Sequence, residues 1–248
     1  MARESLTERV VRQIGTAIVR GDHPPDKALP VEPAIAATLG VSRNLVREAV
    51  KTLVGKGLLR TGRRAGTIVQ PPAAWNLLDP DVLAWTLAAD ALRDDLLAEI
   101  ASLRSMIEPE VAALAASRGG TVEILRLMEA LEDMERHRDD PVRAVAADIG
   151  FHRCLFAASG HRLAMSLLPA FTVLLQANFD LAIQAQGGFA RNLAVHRAVA
   201  EAIHAREPDK ARAAMRRLLA NNEDDLARIM SGRRSRAAGQ DQVAGEGR

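Results

Sequence analysis

Asp148, His152 and His196 are the residue types of a divalent transition-metal site. Asp148 and His152 stand four apart, so on a helix both project over the stretch faced by Val145, Ile149 and Phe156. His196 shares the stripe of Leu193, Val199 and Ile203 and also faces inward. Neutral imidazole nitrogen and anionic oxygen together suit zinc first, with nickel or manganese as alternatives. The same three residues would also serve as an ordinary hydrogen-bonded core. Arg104 lies on an inward stripe with Ile100 and Ile107, where an unpaired guanidinium is costly. Either Glu108, four residues on, or a bound anion must neutralise it.

A second set of chemical residues lies near the N-terminus. In Val41 to Leu59 the apolar Val41, Leu45, Val46, Ala49, Val50 and Leu53 recur at helical spacing, which predicts a helix from about Ser42 to Lys56. Ser42 can cap its start, and Gly55 and Gly57 weaken its end. The opposite face carries Arg43, Asn44 and Arg47 in the first two turns, with Lys51 beyond. A helix that enters the major groove uses its N-terminal turns on base edges, and Arg to guanine and Asn to adenine are the matched pairings. A plain solvated basic face would look the same in isolation.

The flanks favour recognition of DNA. Val31 to Leu39 reads as a short helix closed by Gly40, so helix, tight turn and second helix follow in order. Leu58, Leu59, the basic loop Arg60 to Arg64 and Thr67 to Val69 then read as two short strands forming a wing, whose arginines reach phosphates or the minor groove. Charge agrees with this division. Residues 1 to 72 hold 12 Lys and Arg against 6 Asp and Glu, whereas the remainder holds 21 against 25. That asymmetry points to nucleic acid at one end and another partner at the other.

The 248 residues, 48% of them apolar, suffice for two modest domains. No run approaches the roughly 18 apolar residues of a membrane span, so a cytoplasmic protein is expected. The single cysteine, Cys154, excludes an intramolecular disulfide and reads as a small buried residue. Leu6 to Gly21 reads as a supporting helix, and Pro71-Pro72 as the start of a linker. Beyond Trp75 every element reads as helix: 79 to 89, 91 to 117, 121 to 137, 142 to 159, 163 to about 185, 193 to 205, and 208 to about 230. The expected organisation is a winged helix-turn-helix over 1–72, an all-helical effector-binding and dimerisation domain over 73–231, and a disordered polar tail over 232–248. The fold class is mainly α.

Leu29-Pro30-Val31-Glu32, Gly40-Val41-Ser42-Arg43, Val46-Arg47-Glu48-Ala49, Gly57-Leu58-Leu59 and Gly66-Thr67-Ile68-Val69 together resemble the N-terminal domain of GntR-family transcription regulators. The resemblance implies Arg43 and Arg47 as main DNA contacts, with Ser42, Asn44, Arg63 and Arg64 assisting. Pro33 departs from it, standing where relatives often place a backbone-contacting arginine. Trp75 to Met230 resembles the FCD ligand-binding domain of the FadR subfamily, through Leu103-Arg104, Ile107-Glu108-Pro109, Ala115-Ala116, Asp148, Phe151-His152, Ala158-Ser159-Gly160, His196 and Ala202-Ile203.

By that likeness Asp148, His152 and His196 bind a metal, and Arg104 clamps a carboxylate effector rather than pairing with Glu108. A further family histidine falls at Leu218, and Asn222 is the nearest inward polar replacement. Trp75 to Asp79 and Asp81 to Leu83 resemble the domain junction of galactonate-operon repressors, and Trp75 and Trp85 are expected at the domain interface. The implied protein is a homodimeric repressor of a sugar-acid or related operon, released from a double-stranded inverted-repeat operator by a small carboxylate. Two other classes fit less well. A metal-dependent hydrolase built on Asp148, His152 and His196 lacks a general base or oxyanion donors at motif spacing, and a fatty-acyl-CoA sensor would leave those three residues redundant.

Overall fold

The computed structural model describes residues 4–62, 66–182 and 188–245. They form two compact units, Met1–Arg93 and Asp94–Arg248. This division falls inside a helix.

The first unit begins with α1 (Leu6–Arg20), set by a capping box in which Ser5 and Glu8 satisfy each other's backbone amides. Next is α2 (Glu32–Leu39), with Pro33 in its first turn, where a missing amide hydrogen costs little, and Gly40 in the left-handed region at its end. Ser42 caps α3 (Arg43–Gly55), its hydroxyl accepting from the Leu45 amide at 3.3 Å. The wing is β1 (Leu59–Gly62) paired antiparallel with β2 (Gly66–Val69), Leu59 opposite Val69 and Gly62 opposite Gly66. Ala28 bridges to Ile68, extending the pairing in a way the sequence did not signal. Val10, Ile14, Ile18, Val46, Ala49, Leu53, Leu58 and Val69 make the core that holds α3 against α1.

A 3-10 turn (Pro72–Ala74) and α4 (Pro80–Ala88) belong to this same unit. Trp75 and Trp85 join the winged-helix core. Lys56 straps the segment in place, its Nζ lying 2.7 Å from Asp79 Oδ1 and 2.8 Å from Asp81 Oδ2, above the Trp85 ring. Gly57 has φ +81°, and a Cβ there would stand 2.4 Å from the Ala74 carbonyl oxygen. Gly57→Ala is therefore expected to destabilise the protein by on the order of 3 kcal/mol, read as a lowered urea midpoint. An unchanged midpoint would contradict this packing of the segment on the end of α3.

The second unit is helical: α5 (Asp90–Arg118, which begins in the first unit), α6 (Thr121–Arg136), α7 (Pro141–Ala158), α8 (Arg162–Ala182), α9 (Gly188–His204) and α10 (Pro208–Gly245). Asp140 caps α7, and Pro141 occupies its first turn. Helices α6, α7, α8, α9 and α10 pack side by side around Leu131, Met134, Leu155, Phe156, Phe171, Ile203, Met215 and Leu218. Two expectations change. Helix α9 starts at Gly188 rather than Leu193, and α10 continues past Met230 to Gly245, because the Arg, Ala and Gln of that stretch favour helix and no proline stops it. Cys154 is half-buried rather than buried.

Candidate functional site

On the first unit, Ser42, Arg43, Asn44 and Arg47 are all exposed, on the face of α3 opposite buried Val46, Ala49, Val50 and Leu53. The N-terminal turns of α3 thus offer two guanidinium groups and an amide to solvent. Arg47 Nε lies 3.3 Å from Glu32 Oε2, an exposed pair that contributes little. Arg63 and Arg64 lie outside the described residues.

In the second unit the three sequence-predicted ligands come together. Each offers one donor atom, and these lie within 4.8 Å of one another. Asp148 and His152 come from α7 and His196 from α9, and all three are buried. Phe151 fixes the two imidazoles, its ring edge-on to His152 at 5.8 Å and to His196 at 5.1 Å between centroids.

The tautomer of His196 follows from its partners. Its Nδ1 donates to the Asn192 carbonyl at 2.8 Å, and a carbonyl can only accept. Its Nε2 stands 3.0 Å from Asp148 Oδ1, buried and without hydrogen-bond geometry. His152 Nδ1 is likewise buried without a hydrogen bond, 3.3 Å from Glu108 Oε2. Two orphaned imidazole nitrogens facing carboxylate oxygens are a donor set that fits a cation.

Electrostatics supports the ligand forms. Burial pushes the His152 ring below its usual range, against the pull of Glu108 and Asp148, which keeps it neutral. Burial also opposes ionisation of Asp148, but the carboxyl still lies below its ordinary range, with the Arg104 guanidinium among the neighbours that favour its charge.

Arg104 sits in the core as expected, and Glu108 is its partner there. Arg104 Nε donates to Glu108 Oε1 at 2.6 Å and an Nη donates to Oε2 at 3.3 Å, both side chains being almost wholly buried. The physical reason is the helical i,i+4 spacing, which brings the carboxylate to the guanidinium without any ligand. Burial opposes both charges, but each holds the other ionised. Asn222, half-buried, accepts from the Asn192 side chain at 2.7 Å. It thus touches the residue that orients His196. Leu218 is fully buried and apolar. The side chains of residues 178–188 lie outside the described residues.

Residues 6–69 match the bacterial regulatory proteins of the gntR family, and residues 99–221 match the FCD domain. The chain belongs to the GntR family. Its pairing of domains makes it a FadR-like GntR regulator, and its function is DNA-binding transcription regulation with an effector-binding domain, not catalysis. The galactonate operon transcriptional repressor of Escherichia coli (strain K12) is 29% identical over 224 residues, which are 90% of this chain and 97% of that protein. The transcriptional repressor NanR of Klebsiella aerogenes is 28% identical over 214 residues, 85% of this chain and 81% of that protein. A solved structure of Lar, which controls expression of the Listeria monocytogenes agr system, covers 92% of this chain and 99% of its own with a TM-score of 0.64. At 16% identity that likeness bears on fold alone.

For this GntR regulator, sequence reasoning found the three clustered donors but missed how Glu108 and Asn192 frame them. Glu108 was visible only as a partner of Arg104, and its approach to His152 joins α5 to α7 across tertiary structure. Asn192 stands four residues before His196, a helical spacing that did carry the signal. No helix among the described residues is long and apolar enough to cross a membrane.

Proposed function

We propose that this regulator is a cytoplasmic homodimeric repressor of a sugar-acid or related hydroxy-carboxylate catabolic operon, and that its FCD domain binds a divalent metal through Asp148, His152 and His196. The observation that carries the metal is the buried His196 Nε2, without a hydrogen-bond partner, 3.0 Å from Asp148 Oδ1. A divalent cation between them would be bonded by both atoms. Zinc suits two imidazoles and a carboxylate best, with nickel or manganese as alternatives. Three protein ligands leave a coordination position for an oxygen of the effector. Arg104 can meet the same effector only by sharing its guanidinium with Glu108, so the metal is the primary anchor.

On DNA, each subunit would place one α3 in the major groove of a half-site, and twofold symmetry would demand an inverted repeat. Ser42, Arg43, Asn44 and Arg47 supply the contacts from α3, and Arg63 and Arg64 those from the wing. Replacing Arg63 or Arg64 by Ala is expected to weaken binding to all sequences together and to reduce the salt slope by about 1 per lost phosphate contact. A loss confined to one base position would contradict the phosphate role. The effector class rests on the galactonate operon transcriptional repressor among the relatives.

The test is a thermal-shift panel of aldonates with zinc present. An effector that binds the folded state raises the melting temperature by mass action, about 2.7 kcal/mol at a hundredfold excess over Kd. If no aldonate shifts the zinc-loaded protein, the sugar-acid reading fails.

A further inference from the structure

Among the described residues, Glu108 is the one buried carboxylate that the three-residue site leaves out, and its two oxygens are unequally used. Oε1 takes the short bond from Arg104 Nε at 2.6 Å. Oε2 has only a long contact with an Arg104 Nη at 3.3 Å, and stands 3.3 Å from the orphaned His152 Nδ1. Building on the metal reading above, we infer that Glu108 is a fourth protein ligand of the cation, bound through Oε2, and that Arg104 is the positioning residue that holds Oε1 and aims the carboxylate.

The spacing carries this. Metal bonds of about 2.0 to 2.2 Å put neighbouring donor atoms about 3.3 to 3.6 Å apart at tetrahedral angles and about 2.8 to 3.1 Å apart at right angles. The 3.3 Å between His152 Nδ1 and Glu108 Oε2 and the 3.0 Å between His196 Nε2 and Asp148 Oδ1 are both such edges. Two carboxylates facing two imidazole nitrogens thus form two donor pairs, and an effector oxygen would enter as a fifth ligand, an expansion that zinc sites allow. Glu108 touches the group through His152, and binding draws Oε2 inward while Oε1 stays with Arg104. Charge agrees as well: Asp148 and Glu108 together match a divalent cation, and the Arg104 charge is left to balance an incoming carboxylate. Pro109 adds a local feature, since it offers no amide hydrogen to the Ser105 carbonyl and so omits a helical bond in the turn that bears Arg104 and Glu108.

The experiment is a Co2+ and Zn2+ titration of the full-length protein and of Glu108→Gln, with affinity read against a competing chelator and coordination read from the Co2+ visible spectrum. Wild type is expected to bind one ion per chain. Glu108→Gln is expected to weaken binding at least tenfold and to alter the Co2+ spectrum. Glu108→Asp, which keeps the charge for Arg104 but shortens the reach, should do the same and serves if the Gln variant does not fold. Unchanged affinity in a folded variant overturns the inference, and so does lower affinity with an unchanged spectrum, which would make Glu108 a support for His152 only. A wild-type protein that binds no ion overturns the metal reading itself, a result distinct from either.

Discussion

Arg43→Ala and Arg47→Ala should each lower operator affinity by about 1 to 3 kcal/mol per base contact and relax specificity at one symmetric pair of positions. A homodimer loses the contact in both half-sites at once, so the deficit in the complex approaches twice that figure where the sites act independently. Neither residue supports the fold, since both are exposed and the core side of α3 is Val46, Ala49, Val50 and Leu53. The melting temperature should therefore stay unchanged. In the free protein Arg47 leans on Glu32 at 3.3 Å, and an exposed pair of this kind yields readily to a base edge. Footprints identical to wild type for both variants would remove α3 from the groove.

His152→Ala should abolish metal uptake and, with it, any thermal response to metal. The variant removes one of three clustered donors and leaves Asp148 facing His196 without the second imidazole. At a hundredfold excess of metal over Kd the wild-type stabilisation is about 2.7 kcal/mol, or about 5 to 10 °C in a unit of this size. Element analysis of purified protein and melting curves with and without zinc read both effects. Equal metal content and equal melting curves in the variant would return Asp148, His152 and His196 to the status of ordinary core.

What the sequence disclosed depended on how local its physics was. The helix-turn-helix was legible because Gly40 and Ser42 punctuate it and because polar and apolar residues of α3 divide at a helical period. The metal trio was legible in part: Asp148 and His152 share a face by spacing, and His196 declares itself by interrupting an apolar stripe. The convergence of α7 and α9 was supplied by resemblance. Contacts between remote segments were not legible. The Ala28 bridge to Ile68, the burial of Trp75 and Trp85 in the winged-helix core, and the reach of Glu108 to His152 all arise from packing that no local pattern encodes. Lys56 exposes the same limit, since a cation at a helix end gave no sign of binding Asp79 and Asp81 more than twenty residues away.

The most direct test of the whole account is selection of binding sites from a random duplex library by the purified, zinc-loaded protein, repeated with each aldonate of the panel. The account predicts enrichment of an inverted repeat, and loss of that enrichment in the presence of one aldonate for wild type but not for His152→Ala. Affinities of effector and operator must then be coupled reciprocally, by typically about 1 to 3 kcal/mol. Enrichment of no symmetric sequence, or an aldonate response that survives His152→Ala unchanged, would contradict it.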